Sequence, residues 1–326
     1  MQKWSYNIIG THLGIVIDTV EDCSTLFSEI ETRLREFEAK FSRFIEWNWL
    51  HELNISRRAI LDTGAKNMLI FALEMARQTD GYFDPTIGKR LTELGYGNQW
   101  IMKNEEWRIS EKWHGDYRDI EIVWDEVMLH WDILLEFGWV GKGYLIDVIK
   151  GMIHNRLCHI DRNSPVSVVN GAEISCSENW AGFLGSAIAP FEMTKTRYLI
   201  NFGWDMYGCG WWKVGLESPF ASDEVIGVYI LDDGFLACSA GTKRRWWDGK
   251  HHLINPHTGE SAREVVASYV EGSSGISVDS YATALCVMPW ENAVETLKKT
   301  PGISGVIVKH DGTLFQKEGS KSTVFS

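Results

Sequence analysis

The chain has 326 residues, 44% of them hydrophobic and 23% charged, with a formal net charge of −12. That length supports one large domain or two intimately packed lobes around a substantial core. So acidic a chain is not built to grip nucleic acid or an anionic membrane, because phosphate backbones demand clustered Lys and Arg; an anionic cofactor would need local neutralisation by a metal ion or a small basic cluster.

Residues 5–19 alternate and are rich in Ile and Val, which predicts a strand or hairpin. From Asp22 to Phe41, Leu26, Ile30, Leu34, Phe37 and Phe41 recur at helical spacing. A second helical stretch covers 58–78, with its start near Asp62 or Thr63, and it ends before the turn-rich segment 79–88. Residues 119–135 alternate as strands do, and 136–147 form a glycine-punctuated loop running into an apolar helix. Residues 148–197 carry few periodic signals. The Asp-Gly pairs at Asp233-Gly234 and Asp311-Gly312 predict two hairpins, over 225–240 and near the end of the chain, and 278–299 reads as helix in two pieces. With no internal repeat or low-complexity linker, the alternation of helices and hairpin-linked strands gives a mixed α/β architecture with substantial antiparallel sheet.

The cysteines Cys23, Cys158, Cys176, Cys209, Cys238 and Cys286 include no C-x-x-C pair and none at zinc-finger spacing from a histidine, which reads as reduced, mostly buried thiols. The N-terminus lacks the pattern of a signal peptide, and no run approaches the about 18 to 20 apolar residues that cross a bilayer. A cytoplasmic protein with no transmembrane segment is the expectation. The 16 Trp residues favour flat aromatic surfaces for packing or ring stacking.

Four clusters carry chemistry. In DGYFDPTIG (80–88), Pro85 fixes a turn that sets backbone amides beside Asp84; the plainer account is an Asp capping its own turn. In EFGWVGKGYLID (136–147), the glycines at 138, 141 and 143 permit close backbone approach to a ligand and Lys142 can meet a phosphate, or the segment is simply the entry to a helix. Residues 241–260 gather Lys243, Arg244, Arg245, His251, His252 and His257; the alternative to a site is a solvated basic hairpin. Adjacent histidines on an extended segment face opposite ways, which argues against zinc. In SVDSYATAL (277–285), Asp279 and Thr283 lie four apart, so on a helix both oxygens reach one hard cation such as Mg²⁺ or Ca²⁺; otherwise the Asp caps and the Thr bonds back to a carbonyl.

In this order and over nearly the whole chain, the clusters resemble the motifs of the ApbE family of FAD:protein FMN transferases. Ile9-Gly10-Thr11 stands for the family's Met-Gly-Thr, and FSRFIEWNWLHELN (41–54) loosely matches its next segment. Gly81 to Thr86, Glu136 to Asp147, Gly203 to Tyr207, His252 to Gly259 and Asp279 to Leu285 supply the rest. The resemblance implies a mixed α/β (α+β) ApbE-like fold, with antiparallel-rich sheets and packed helices in two associated lobes. It implies a single transferase domain over 1–326, with an insertion in 148–197 of about 30 residues beyond the family's segment.

It also implies metal-dependent transfer of FMN from FAD to a Thr or Ser hydroxyl of an acceptor flavoprotein bearing a Ser/Thr-Gly-Ala-Thr-type motif, with release of AMP. Asp279, Thr283 and the backbone carbonyl of Trp139 would hold Mg²⁺. Ile9, Phe44, Tyr82, Phe83, Asp84, Glu136, Lys142 and Ile254 would line the FAD site, and His252 would be the base. Departures from the family are Glu136 and Asn255 where Asp is usual, and Trp139 and Trp204 where the family has small residues; an indole at 139 would narrow the pocket beside the diphosphate. A FAD pyrophosphatase, a non-catalytic FAD-binding protein and, more remotely, a carbohydrate-binding module exploiting the many Trp residues are the alternatives.

Overall fold

The computed structural model describes residues 1–96, 115–157 and 196–325, apart from 222, 243, 247 and 248. Its main element is an eight-stranded antiparallel sheet in which the strands follow chain order: Gln2–Ile8, Thr11–Ile17, Tyr198–Phe202, Asp205–Cys209, Gly234–Ala240, Val265–Gly272, Ile303–Lys309 and Leu314–Gln316. Alternation sets its inner face. Leu13, Ile15 and Ile17 are buried and pair in register with the buried Phe202, Ile200 and Tyr198, so the apolar side chains of the two strands stand in adjacent rows. One three-stranded sheet joins Arg58–Ile60, Glu126–Leu129 and Ile120–Val123, and another joins Trp212–Glu217, Val225–Leu231 and Ser322–Val324.

Seven α-helices complete the described residues: α1 (Ser24–Phe41), α2 (Trp49–Ser56), α3 (Thr63–Gln78), α4 (Gly88–Glu93), α5 (Gly141–Leu157), α6 (Gly275–Val287) and α7 (Trp290–Lys299). In α1 the stripe Leu26, Phe27, Ile30, Leu34 and Phe37 is buried, as its spacing predicts. Asp62 caps α3 by accepting from the Ala65 amide at 2.8 Å. Pro289 separates α6 from α7, because it cannot supply the amide that a continuous helix needs. Among the described residues no helix is long and apolar enough to cross a membrane.

The helix within 58–78 starts at Thr63, with Asp62 as its cap, as expected, and Arg58–Ile60 ahead of it is a strand. Two details differ from the sequence reading. α2 had no periodic signal strong enough to announce it. The segment 225–240 is not a hairpin: Val225–Leu231 pairs within the small sheet and Gly234–Ala240 within the main one. A two-residue hairpin turn of this kind needs positive φ at both central residues. Asp233 has φ 47, but Gly234 already belongs to the next strand, so the turn passes the chain from one sheet to the other. The Asp311-Gly312 hairpin does form, closed by a bond from the Lys309 amide to the Thr313 carbonyl at 2.8 Å. The segment 148–197, in which the insertion is expected, begins as the rest of α5, and its residues 158–195 lie outside the described residues.

The helix that matters most is α6, buried along almost its whole length against the sheet and against α5. The two helices meet at Gly143 and Gly275. A Cβ on Gly143 would lie 2.3 Å from the Gly275 carbonyl oxygen, and one on Gly275 would lie 2.7 Å from that of Gly143. Each helix also satisfies the other's first turn, where backbone amides have no partner within the helix. Asp147 of α5 accepts from the amides of Gly275 and Ile276 at 3.0 and 2.9 Å, and Asp279 of α6 accepts from the amide of Gly143 at 2.9 Å. A negative charge at each helix start is favourable. Gly143→Ala is expected to force the helices apart and lower unfolding stability by about 3 kcal/mol, read from the urea midpoint; an unchanged midpoint would show that the crossing relaxes freely.

Candidate active site

A cavity of about 390 Å³ opens where the start of α5, one face of α6, the strand Gly234–Ala240 and the loop after α1 converge. Around it the structure brings together Ile9, Phe44, Glu136, Trp139, Lys142, His252, Asp279 and Thr283. Asp279 and Thr283 share a face of α6, as their spacing requires. Thr283 Oγ1 lies 3.4 Å from Ser239 Oγ on the strand opposite.

At the base of the cavity Lys142 bridges two buried carboxylates, bonding Asp205 closely and Asp279 at 3.2 Å. Burial works against the Lys142 charge, but the two carboxylates override it and hold its pKa above the usual lysine range. Burial, and then the charge of Asp279, raise Asp205 well above the ordinary carboxylate range, against the pull of Lys142. Two carboxylates facing one ammonium leave a surplus negative charge that a proton or a cation must balance. The oxygen donors of Asp279, Thr283 and Ser239 are those a hard divalent cation prefers, so the residues present fit such an ion. Among the described residues no group of three or more His, Cys, Asp or Glu is placed to hold a metal ion, so a cation here would draw on hydroxyl and carbonyl oxygens beside Asp279.

His252 reaches the wall while His251 turns away and bonds to the Ala262 carbonyl at 2.8 Å, the opposed orientation expected of neighbours on extended backbone. Burial, followed by the nearby charge of Arg244, drives the His252 pKa down to about 3, so the imidazole is neutral at ordinary pH. Its Nδ1 is buried without a hydrogen-bond partner.

Four sequence-predicted residues lie outside the wall. Tyr82 packs its ring on His257, Phe83 meets Trp139 edge to face, and Ile254 is fully buried in the core. Asp84 ties its own turn, accepting from the Thr86 amide and hydroxyl at 2.8 and 2.7 Å and from the Tyr117 amide at 3.1 Å. Burial nevertheless raises its pKa to about 6. The DGYFDPTIG segment therefore braces the glycine loop from behind: the Pro85 carbonyl accepts from the Glu136 amide at 2.8 Å. Glu136 in turn accepts from the Gly138 amide at 2.6 Å and pairs with Arg43 at 3.4 Å. The indole of Trp139 is 6% exposed and packs on Phe83, so most of it adds to the core rather than filling the cavity. Asn255 keeps the acceptor its turn requires, with Oδ1 taking the His257 amide at 2.9 Å.

Nothing in the sequence singles out Arg43, Tyr96 or Ser239, and it marks Asp205 only as part of the motif Gly203 to Tyr207, with no role. Arg43 reaches Thr92 Oγ1 at 2.9 Å and the Tyr96 carbonyl at 2.7 Å, and Arg244 donates to the Tyr96 hydroxyl at 3.3 Å. Only the run of basic residues around Arg244 gave a signal. With Lys142, these arginines set three cations in a wall that also carries Glu38, Glu136 and Asp279, a cluster of positive charge within an otherwise acidic chain. A larger cleft of about 830 Å³ lies beyond the DGYFDPTIG turn, but there Asp80, Asp84, Glu93, Asp116, Asp119 and Asp132 outnumber Lys89 and Arg118, a balance that disfavours a diphosphate.

The ApbE family model matches residues 9–160 and 191–307. The chain belongs to the ApbE family. A protein of Klebsiella pneumoniae (strain 342) named FAD:protein FMN transferase is 23% identical over 145 residues, 42% of this chain and 46% of that protein. That match therefore spans less than half the relative's length. An ApbE protein from Thermotoga maritima has the same fold, with a TM-score of 0.77, 22% identity and 97% of each chain covered. The flavin transferase ApbE from Vibrio cholerae superimposes with a TM-score of 0.74 at 17% identity, again over 97% of each chain. At these identities the two structures establish the ApbE architecture, an antiparallel-rich mixed α/β fold.

Because the folded-state pKa of His252 lies near 3 and the ordinary value is 6.5, its contribution to stability is full above about pH 6.5 and is lost progressively as pH falls toward 3. His252→Asn is expected to flatten the acid side of the stability profile, with urea midpoints at pH 7, 6 and 5 falling less steeply than in the native protein. Parallel profiles would show that the imidazole is not held neutral.

Proposed function

We propose that this ApbE protein transfers the FMN half of FAD to a Ser or Thr hydroxyl of an acceptor flavoprotein. The observation that carries this reading is the meeting of Lys142, Arg43, Arg244, Asp279 and Thr283 in one cavity of an acidic chain. Cationic groups beside a hard-cation donor set suit a diphosphate, and the name of the K. pneumoniae relative points to the same chemistry. The acceptor oxygen bonds to the FMN phosphorus, the bond to the AMP oxygen breaks, and AMP leaves with its electron pair. Such transition states ask for positioning and charge neutralisation more than for covalent catalysis.

In this reading Asp279, Thr283 and the Trp139 carbonyl hold a divalent cation such as Mg²⁺. Bound there, the ion supplies neutralisation of the diphosphate and of the charge developing on AMP. Lys142, kept charged by Asp205 and Asp279, orients the diphosphate from the start of α5. His252 accepts the hydroxyl proton at its unpartnered Nδ1. A pKa near 3 makes it a weak base in isolation, but its depression comes partly from Arg244 and Lys142, whose charges a diphosphate would neutralise. The acceptor carries a Ser/Thr-Gly-Ala-Thr-type sequence, and residues within 158–195 form an addition to the family domain; the family match, which skips 161–190, supports the latter.

Purified protein incubated with FAD, Mg²⁺ and such an acceptor domain should yield a fluorescent acceptor band on a denaturing gel, absent when a chelator is added. Free FMN and AMP without a labelled band would instead identify a FAD pyrophosphatase. Asp279→Asn should lower transfer at least about 100-fold, the loss typical of removing a group that stabilises transition-state charge, and retention of full activity would eliminate the assigned cation site.

A further inference from the structure

The loop between α1 and α2, residues 42–48, is pinned at its base and apolar at its tip. The Asn48 side-chain amide donates to the Ser42 carbonyl at 2.7 Å, while Asn48 Oδ1 accepts from the His51 amide at 2.8 Å and caps α2. The Ile45 amide donates to the Ser42 carbonyl at 3.3 Å, and the Trp47 amide to His51 Nδ1 at 3.1 Å. Held by these bonds, Phe44, Ile45 and Trp47 are 44%, 39% and 75% exposed. Trp47 also adopts φ 62, the left-handed region that bulky side chains rarely enter. The Trp47 ring also packs edge to face on His51 and the Arg43 guanidinium lies over Phe44; a scaffold that holds three large apolar side chains exposed and in fixed positions has the form of a docking surface rather than of a slack loop.

Its place says what docks. Phe44 belongs both to this tip and to the cavity wall, and the wall also carries Trp204, a second exposed indole, with φ 81. The cavity is where the acceptor hydroxyl must arrive, so the polypeptide that carries it has to cross this rim. A second copy of the chain or an anionic membrane is disfavoured by the net charge of −12. We propose that the Phe44–Trp47 loop is the docking surface for the acceptor flavoprotein, gripping an apolar patch beside the segment that bears the modified Ser or Thr. This rests on the transferase reading above. Trp47, which lies outside the cavity wall, contributes to acceptor affinity and not to FAD binding.

The test is binding of an unflavinylated acceptor domain with a Ser/Thr-Gly-Ala-Thr-type sequence, by calorimetry, to the native protein, Trp47→Ser and Trp47→Phe. FAD affinity and thermal midpoint are measured for each, with the gel assay run alongside. The expected result is at least a fivefold higher Kd for the acceptor in Trp47→Ser, near-native affinity in Trp47→Phe, and FAD affinity within twofold in both. Native-like acceptor binding by Trp47→Ser, with transfer intact, overturns the docking surface and leaves the transferase reading standing. A native protein that neither binds nor labels the acceptor overturns the transferase reading, and the docking surface falls with it.

Discussion

The site depends on how closely α5 and α6 can approach. Two glycines let the helices touch backbone to backbone, and two aspartates tie the contact by each capping the opposite helix. Asp279 therefore has two tasks, since one carboxylate oxygen closes the first turn of α5 while the other faces Lys142. Because Lys142 precedes Gly143, the interaction that joins the helices also aims the ammonium group at the cavity. Fold and electrostatics are fixed by the same few atoms, which is a strong reason for glycines at positions where any Cβ would collide with a carbonyl.

The charge pattern follows from that arrangement. A lysine shared between two buried carboxylates is held protonated, and the deficit of positive charge is local and directional. Across the cavity, burial and Arg244 keep His252 neutral. An acidic chain thus builds a pocket with cationic arms, an uncompensated carboxylate and an uncharged imidazole within one small volume.

What could be read from the sequence was whatever depends on short spacing. The helical repeat of α1, the four-residue separation of Asp279 and Thr283, and the opposed histidines at 251 and 252 follow from local geometry, as does the glycine pattern ahead of α5. Arg43 and Ser239 could not be read this way, and Asp205 stood out only as a motif residue, because their roles are set by partners far along the chain: Arg43 meets Glu136, and Asp205 meets Lys142. Tyr82, Phe83 and Asp84 show the converse. Their motif is distinctive, yet its turn braces the glycine loop from behind and borders a separate cleft instead of the cavity. The Asp233-Gly234 pair misled because the dipeptide encodes a bend, whereas the choice between pairing with the previous strand and leaving for another sheet is made by tertiary contacts.

The main sheet follows chain order, but one of its steps is long. Thr11–Ile17 pairs with Tyr198–Phe202, and everything between has to be folded over before that ladder closes. During synthesis the N-terminal hairpin waits with one edge unpaired, the state in which a strand is most open to wrong partners. α6, which completes the cavity, emerges later still. The cavity is consequently closed late, and a molecule able to hold its ligand is one in which residues as far apart as Ile9 and Thr283 have already come together.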